Sequence, residues 1–211
     1  MKNLLIYGSG DFGKELVNLI SLINKRKKTW KILGFVETNK KLIGKKIYNI
    51  KIFDEKKIKK NKLVYATCSA TNPKTKKKII SKIKNKFSFA NLIHPDVEIP
   101  KDLKIGVGNI ILQKVFISYK VKIKNYCSIS TSCDLGHNLK LGNCSSIMPG
   151  TIINGRVTIE NECFIGSSVL ISTDVKIGNN CNVGSGCKIF NNIKNNTRIF
   201  EVPRLIKSKN I

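Results

Sequence analysis

The sequence is dominated by a hydrophobic period of six residues. In its C-terminal half every sixth residue is aliphatic, and this first column consists of Ile99, Ile105, Ile111, Ile117, Ile123, Ile129, Leu135, Leu141, Ile147, Ile153, Ile159, Ile165, Ile171, Ile177, Val183 and Ile189. A second column, two residues earlier in each hexad, is filled mostly by valine, leucine and cysteine. Residues two apart lie on the same side of an extended strand, so both columns are predicted to point into one core.

A period of six indicates a chain that turns a corner after each short strand and then begins another strand. Coils of three hexads stack into a triangular prism whose interior holds both columns, and residues 99–189 have room for about five coils of about eighteen residues. An antiparallel sandwich is the alternative, but its loops vary in length and would break the register. We expect tight bends, at which a side chain would be strained, where glycine follows the first column. These glycines are Gly106, Gly136, Gly142, Gly166, Gly178 and Gly184.

The charge of the chain is strongly positive, with 39 lysines and arginines against 13 acidic residues. Nearly all the basic residues are lysines spread along the whole chain, whereas arginine is expected at bidentate contacts to phosphate or bases. No motif of a nucleic-acid module is present. The sequence therefore predicts no specific nucleic-acid partner. Weak binding to polyanions and attraction to anionic lipids or anionic substrates stay open.

The cysteines are predicted to be buried apolar residues. Five of the seven lie in the second column, and none forms a CxxC pair. We therefore expect neither a metal site nor disulfides, which is typical of a reducing compartment. No apolar run is long enough to span a membrane, and the N-terminus leads into a strand without the hydrophobic core of a signal peptide. These features predict a cytoplasmic protein with no transmembrane segment.

The first ninety or so residues alternate between predicted strands and helices, which is typical of a small parallel sheet with crossover helices. We predict strands at residues 3–7, 31–36 and 63–67, helices at 13–23 and 74–83, and a segment at 87–93 that leads into the repeats. The period changes near His94 and Pro95, so the predicted domains are residues 1–93 and 94–211. His94 is interpreted as a linker residue rather than a catalytic one.

A glycine-rich turn joins the first predicted strand to the first helix. It runs from Gly8 to Gly13 as Gly-Ser-Gly-Asp-Phe-Gly, a spacing that places backbone amides and a helix N-terminus against a phosphate. Glu37, at the end of the second strand, is placed to accept hydrogen bonds from a ribose or a base. A turn that only packs the helix on the sheet is one alternative. A dinucleotide redox domain is another, although ninety residues give only half of the usual fold.

The predicted prism carries one histidine on its outside, His137. An imidazole is suited to general-base catalysis near pH 7, and a rigid coil would hold it in a fixed geometry. An exposed histidine without a function is the alternative interpretation.

Several of these segments together resemble the hexapeptide-repeat acetyltransferases of the PglD/NeuD type. They are the N-terminal LLIYGSGDFGKELVNLI, the His94-Pro95 junction, the uninterrupted hexads, the Gly-His-Asn around His137 and the closing Val202-Pro203. The resemblance implies an α/β N-terminal Rossmann-like domain followed by an all-β left-handed parallel β-helix. It further implies a homotrimer with active sites between neighbouring prisms, and acetyl-CoA as co-substrate. The implied acceptor is a nucleotide-linked 4-amino sugar, with O-acetylation of sialic acid as the alternative.

The resemblance also implies roles for individual residues. His137, oriented by Asn138, is the expected base, and the amide of Gly155 is expected to stabilise the acetyl oxyanion. The residues expected along the coenzyme are Ser146, Gly155, Ser167, Gly184, Ser185 and Gly186. Those expected to hold the nucleotide are Gly8, Ser9, Gly10, Asp11 and Glu37, with phosphate contacts from lysines near Lys74 and Lys76.

The chain departs from the pattern of that family at several positions. Asn138 stands where an acidic residue usually follows the catalytic histidine, and Ser146 replaces a second histidine. Glu37 and Thr38 replace paired aspartates, and Glu201 and Arg204 flank the closing Val-Pro. Since an amine only has to arrive neutral whereas a hydroxyl needs a well-supported base, we expect N-acetylation. An NAD-dependent oxidoreductase and a catalytically inactive scaffold remain as alternatives.

Overall fold

The computed structural model describes residues 1–200, which form an N-terminal mixed α/β sheet followed by a parallel β-solenoid. The N-terminal elements are β1 (Lys2–Tyr7), α1 (Asp11–Arg26), β2 (Trp30–Glu37), β3 (Lys46–Ile47), β4 (Ile50–Asp54), a 3₁₀ turn (Glu55–Lys57), β5 (Tyr65–Cys68), α2 (Pro73–Ile83) and β6 (Ser88–Phe89). The six-stranded sheet has the order β3-β4-β2-β1-β5-β6 and is parallel except for the β3–β4 hairpin. The sequence predicted the helices and central strands but not this hairpin. No helix among residues 1–200 is long and apolar enough to cross a membrane.

Both helices are amphipathic and pack one face on the sheet. In α1 the buried side chains include Leu16, Leu19 and Ile20, whose spacing of three and four residues forms one stripe. The helix α2 begins with Pro73 in its first turn, and the side chain of Asn72 accepts a hydrogen bond from the N–H of Thr75.

The solenoid consists of two-residue strands stacked into three parallel sheets. The first sheet contains β7 (Leu92–Ile93), β9 (Ile110–Ile111), β12 (Ser128–Ile129), β15 (Ser146–Ile147), β18 (Phe164–Ile165), β21 (Asn182–Val183) and β23 (Arg198–Ile199). The second contains β10 (Phe116–Ile117), β13 (Asp134–Leu135), β16 (Ile152–Ile153), β19 (Leu170–Ile171) and β22 (Lys188–Ile189). The third contains β8 (Lys104–Ile105), β11 (Lys122–Ile123), β14 (Lys140–Leu141), β17 (Thr158–Ile159) and β20 (Lys176–Ile177).

The outer surfaces of these sheets differ, and we name them accordingly. The covered face is the first sheet, against which the N-terminal domain packs. The apolar face is the second sheet, where Phe116 and Ile152 are 61% and 43% exposed. The lysine face is the third sheet, with an outward lysine on every strand but β17. Along the chain the order is lysine face, covered face, apolar face and then the lysine face of the next coil.

The interior is built from the two predicted columns. Twenty-seven buried residues, from Val97 to Ile193, form one continuous apolar cluster. All seven cysteines are unpaired and buried, so the prediction of small buried thiols is confirmed. Two residues of the first column are exceptions: Ile99, which precedes the first complete coil, is 48% exposed, and Ile105 is only partly buried.

The corners of the prism correct the expectation about glycine. Left-handed backbone recurs every six residues, mostly at residues other than glycine, and Asn138 with φ of 59° is one of them. The glycines after the first column are needed for another reason, which is the close stacking of coils. A Cβ added to Gly136 would lie 2.6 Å from the backbone oxygen of Ile153 in the next coil.

An asparagine ladder ties successive coils together at the corner between the lysine face and the covered face. The side-chain oxygen of Asn143 accepts from the backbone N–H and the side-chain amide of Asn125, both at 3.1 Å. Asn161, Asn179 and Asn195 continue the same pattern. Each link therefore gives an acceptor to a backbone N–H that lies at a corner and has no partner in a neighbouring strand.

The junction between the two parts of the chain is hydrogen-bonded. The strand β7 pairs in parallel with β9, and the N–H of His94 donates to the carbonyl of Ile111 at 2.8 Å. His94 is buried and its Nδ1 accepts from the N–H of Asp96. The observed hydrogen bonds of His94 therefore lie within the junction, and its interpretation as a linker residue stays a prediction.

Candidate active site

His137 lies on the corner between the apolar face and the lysine face. It follows β13, and its carbonyl accepts from the N–H of Arg156 in the next coil at 2.7 Å. The side chain is partly exposed. Because this corner does not border the covered face, His137 points away from the N-terminal domain of its own chain.

The side chain of Asn138 is positioned by its left-handed backbone against the imidazole. Its amide nitrogen lies 3.0 Å from Nδ1 of His137. An amide nitrogen only donates, so this orientation pairs with an unprotonated Nδ1 and leaves the ring hydrogen on Nε2. Rotation of the amide by half a turn brings its oxygen to Nδ1, which then carries the hydrogen and frees Nε2 to accept a proton. Asn138 therefore supports both neutral tautomers, whereas a carboxylate supports only the second.

The ring of Tyr119 fixes the plane of the imidazole, and this residue was not among those predicted for the site. Tyr119 stacks on His137 with a centroid distance of 5.4 Å and an angle of 12° between the rings. Tyr119 precedes His137 by one coil, so the eighteen-residue repeat was the signal that connected them. One coil further along, Arg156 forms a two-bond ion pair with Asp174, at 2.7 and 2.8 Å.

Gly155 lies directly beneath the imidazole. A Cβ added there would overlap Nε2 and Cε1 of His137, so the absence of a side chain makes room for the ring. Its carbonyl accepts from Asp174, and its N–H has no acceptor among residues 1–200. The geometry thus brings a free amide and an imidazole together at one corner.

The residues expected along the coenzyme lie mostly on the other border of the apolar face. The N–H of Ser167 donates to Oγ of Ser185 at 3.2 Å, and the N–H of Gly186 donates to the carbonyl of Ser167 at 2.8 Å. Gly184 contacts the last strand, since an added Cβ would lie 3.3 Å from the carbonyl oxygen of Ile199. These residues form one small-residue corner, separated from His137 by the width of the apolar face.

Ser146 and Lys76 do not take part in that arrangement. Both are buried, and Nζ of Lys76 donates to Oγ of Ser146 at 2.8 Å, to Oγ of Ser128 at 2.9 Å and to the carbonyl of Ser145 at 3.2 Å. A coenzyme reaches Ser146, or a phosphate reaches Lys76, only if α2 leaves the covered face. Burial lowers the pKa of Lys76. Its observed contacts attach the N-terminal domain to the solenoid.

The glycine-rich turn is held by Glu37 and by the close packing of its own glycines. The carboxylate of Glu37 accepts from the N–H of Ser9 and, at 2.9 Å, from its hydroxyl. Gly8 has a φ of 104°, and an added Cβ on Gly13 would overlap the carbonyl oxygen of Gly8, so both need glycine. Gly10 caps α1 and is exposed. Glu37 therefore fixes the turn in this structure.

Asp11 is the first residue of α1, at the end of the helix where a phosphate was expected. Its side chain is exposed and pairs with Lys14 at 2.9 Å, and this hydrogen bond lowers the pKa of Asp11. Beside the turn lies a cavity of about 260 Å³ lined by residues of the sheet and α2, including Gly8, Glu37, Lys78 and Lys82. The two lysines were not predicted, and Nζ of Lys82 lies 3.5 Å from a carboxylate oxygen of Glu55, which also lines this cavity.

Two further predictions concern a metal site and the closing segment of the chain. Among residues 1–200, no group of three or more histidine, cysteine or acidic side chains is arranged to hold a metal ion. The closing segment with Glu201, Val202, Pro203 and Arg204 lies outside the described residues.

Two family models match parts of the chain. Residues 156–191 match "Bacterial transferase hexapeptide (six repeats)", and residues 1–87 match "C2185-like, N-terminal". No curated protein sequence matches the chain at a significant level.

Solved structures match nearly the whole chain at low identity. A variant of perosamine N-acetyltransferase from Caulobacter crescentus, in complex with CoA and GDP-perosamine, is 18% identical, with 98% of this chain and 97% of that chain covered and a TM-score of 0.83. The acetyltransferase domain of PglB from Neisseria gonorrhoeae is 20% identical, with coverages of 94% and 96% and a TM-score of 0.83. WeeI from Acinetobacter baumannii is 18% identical, with coverages of 92% and 94% and a TM-score of 0.82.

These likenesses confirm the fold class and the resemblance predicted from the sequence. The chain has the fold of hexapeptide-repeat sugar N-acetyltransferases, from its first strand to the end of its solenoid.

Proposed function

We propose that the protein transfers the acetyl group of acetyl-CoA to the amine of a nucleotide-linked amino sugar. The observation that carries this proposal is the corner at which His137, oriented by Asn138 and Tyr119, stacks over the unpaired amide of Gly155. A base and an oxyanion donor side by side are what acyl transfer requires. The matching folds include proteins described with CoA and with GDP-perosamine, which supports the same two classes of ligand.

In the proposed reaction the neutral amine of the acceptor attacks the thioester carbonyl directly. A carbon–nitrogen bond forms, the proton on nitrogen passes to Nε2 of His137, and the negative charge develops on the carbonyl oxygen near the N–H of Gly155. The carbon–sulfur bond then breaks, the amide is left, and coenzyme A takes up the proton as its thiol. Nε2 is free for this step when the oxygen of Asn138 faces Nδ1.

The placement of the two domains supports a site shared between subunits. The N-terminal domain lies on the covered face, whereas His137 lies on the opposite corner, so an acceptor held by the glycine-rich turn faces away from the base of its own chain. We therefore assign the acceptor to the N-terminal domain of one subunit and His137 to a neighbour in a trimer. Burial of the exposed Phe116 and Ile152 between subunits favours the same assembly.

The remaining assignments follow from the same arrangement. Ser167, Gly184, Ser185 and Gly186 are proposed to contact the pantetheine arm, where small residues leave backbone groups accessible. The acceptor group is proposed to be an amine, because Asn138 supports an imidazolium less well than a carboxylate does and an amine makes a smaller demand on the base than a hydroxyl. The resemblance to the PglD-type enzymes favours a 4-amino-6-deoxy sugar as its carrier. The seven unpaired cysteines suit a reducing compartment, so we place the reaction in the cytoplasm.

The test is release of coenzyme A thiol from acetyl-CoA with a panel of UDP-, dTDP- and GDP-linked amino sugars. We expect turnover on at least one member, and His137→Asn is expected to lower kcat by about 10²–10⁴ without changing coenzyme affinity. His94→Asn is the matched control, since its amide oxygen replaces the Nδ1 acceptor for Asp96.

Turnover of free or CMP-linked sialic acid with none on the panel would replace N-acetylation by O-acetylation. Reduction of NAD without acetyl transfer would favour an oxidoreductase. Retention of more than half of the activity by His137→Asn would show that His137 is not the base.

A further inference from the structure

The first three complete coils of the lysine face form a basic cavity beside His137. The cavity has a volume of about 380 Å³ and is lined by Asp102, Lys104, Lys120, Lys122, Asn138 and Lys140. Asn138 thus contacts the imidazole with its side chain and borders the lysines at the same time. A ligand in this cavity lies next to the proposed base.

The lysines of this cavity stand in register. Lys122 pairs directly with Lys104 on one side and with Lys140 on the other, and all three are exposed. Neighbouring strands are about 4.8 Å apart, so the three chains rise from a strip about 10 Å long. Like charges directly opposite one another destabilise a sheet, which makes this strip costly for the fold alone.

The chain itself leaves these cations unneutralised. None of the four cavity lysines has an ion-pair partner among residues 1–200, whereas Lys176, further along the same face, lies 3.7 Å from Glu160. Asp102 is engaged through Oδ2 by the backbone N–H of Lys120 at 2.8 Å. The cavity therefore has an excess of positive charge and several free donors.

We propose that this cavity binds a diphosphate during the reaction. A diphosphate carries closely spaced anionic oxygens that fit cations a strand apart, and lysine serves as a point charge for phosphate. Both substrate classes of the proposed function carry a diphosphate, coenzyme A in its nucleotide half and the acceptor in its sugar link, so this step rests on that proposal. A nucleic acid is less suited, because the cavity contains no arginine or aromatic side chain for bases.

The first experiment measures pyrophosphate binding by calorimetry with the full-length protein at low ionic strength. We expect binding that weakens with added salt, and that falls at least about tenfold in Lys122→Gln/Lys140→Gln because two charge-assisted contacts are lost. The control, Lys59→Gln/Lys60→Gln, removes the same charge from exposed residues of the N-terminal domain and should stay within about twofold. The cavity variant should unfold at the same or a higher temperature, since it relieves repulsion.

A second pair of probes identifies the source of the diphosphate. If it is the coenzyme, the cavity variant weakens coenzyme A but not pantetheine, which lacks phosphates. If it is the acceptor, the same variant weakens UDP or GDP and leaves coenzyme A unchanged. These measurements need no acetyl transfer, so binding without activity would contradict the proposed function alone.

Other outcomes would overturn the diphosphate site. One is that the native protein does not bind pyrophosphate, and another is that the cavity and control variants lose binding equally. A third is that phosphatidylserine vesicles or DNA bind through the cavity while pyrophosphate and nucleotides do not bind at all.

Discussion

Replacing Gly155 by alanine tests whether the corner at His137 is catalytic. The new methyl group would overlap Nε2 and Cε1 of the imidazole and lie 2.9 Å from its Cδ2. Ordinary contacts between such atoms are about 3.5–4.0 Å, so the ring has to move by about 1 Å. A displacement of that size costs about 10²-fold in rate when the group takes part in the chemical step. We therefore expect kcat to fall by about 10²-fold.

The same change should affect stability little. The ring is partly exposed and swings outward without disturbing the coil, so the free energy of unfolding should change by less than about 1 kcal/mol. Gly142→Ala is the matched control, because its Cβ would lie 2.5 Å from the carbonyl carbon of Glu160 and 2.6 Å from the amide nitrogen of Asn161. That variant should lower the unfolding temperature and leave the kcat of the folded fraction unchanged.

The assay is thiol release at saturating substrate, with thermal unfolding recorded on the same samples. In a His137→Asn background Gly155→Ala should cause no further loss, since both changes act through one ring. Full activity of Gly155→Ala, or an equal loss with and without His137, would refute the proposed geometry.

Three further predictions follow from other parts of the structure. Asn138→Asp should retain or raise kcat at a left-handed position that aspartate tolerates, because a carboxylate only accepts from Nδ1, and a lower kcat would contradict the tautomer argument. Light scattering should give a trimer that Phe116→Glu dissociates, and a native monomer at micromolar concentration would exclude a shared site. Burial raises the pKa of Cys133 to about 11 and those of Cys127 and Cys163 to about 12. Above pH 9 these thiols ionise in the unfolded chain but stay protonated in the folded one, so the free energy of unfolding measured with urea should fall from pH 9 to 11. The fall should be smaller in Cys163→Ala. It should be steeper in Lys76→Met, because the lowered pKa of Lys76 acts in the opposite direction in the native protein.

The solenoid was predictable because its period is a property of the sequence alone. Stacked three-sided coils are the arrangement that buries both columns at this fixed spacing. Each short strand therefore lies where one residue of the first column occurs. The reason for the glycines was not predictable, since it depends on how closely one coil stacks on the next. The β3–β4 hairpin was missed because β3 is only two residues long and because Lys46 and Lys51 interrupt the apolar residues of the two strands.

The candidate site was predicted in part for a similar reason. His137 stood out because histidine is rare on the prism, and Asn138 and Gly155 followed from the family pattern. Tyr119 and the lysine cavity depend on which residues meet across coils, and Ser146 was misplaced because the docking of Lys76 on the covered face is a tertiary contact between distant segments. The contact between Lys76 and Ser146 leaves no local signal in the chain, whereas contacts across coils are indicated only by the eighteen-residue repeat.

The asparagine ladder sets a rule for how this protein changes length in evolution. Its links from Asn125 to Asn179 join residues eighteen apart, and only the terminal link to Asn195 is shorter. Duplication or loss of a whole coil keeps every amide opposite another amide, whereas an insertion of any other size at this corner leaves a donor and an acceptor unmatched. We expect natural length variants to differ by complete coils, with irregular insertions confined to the other two corners or to the last turn.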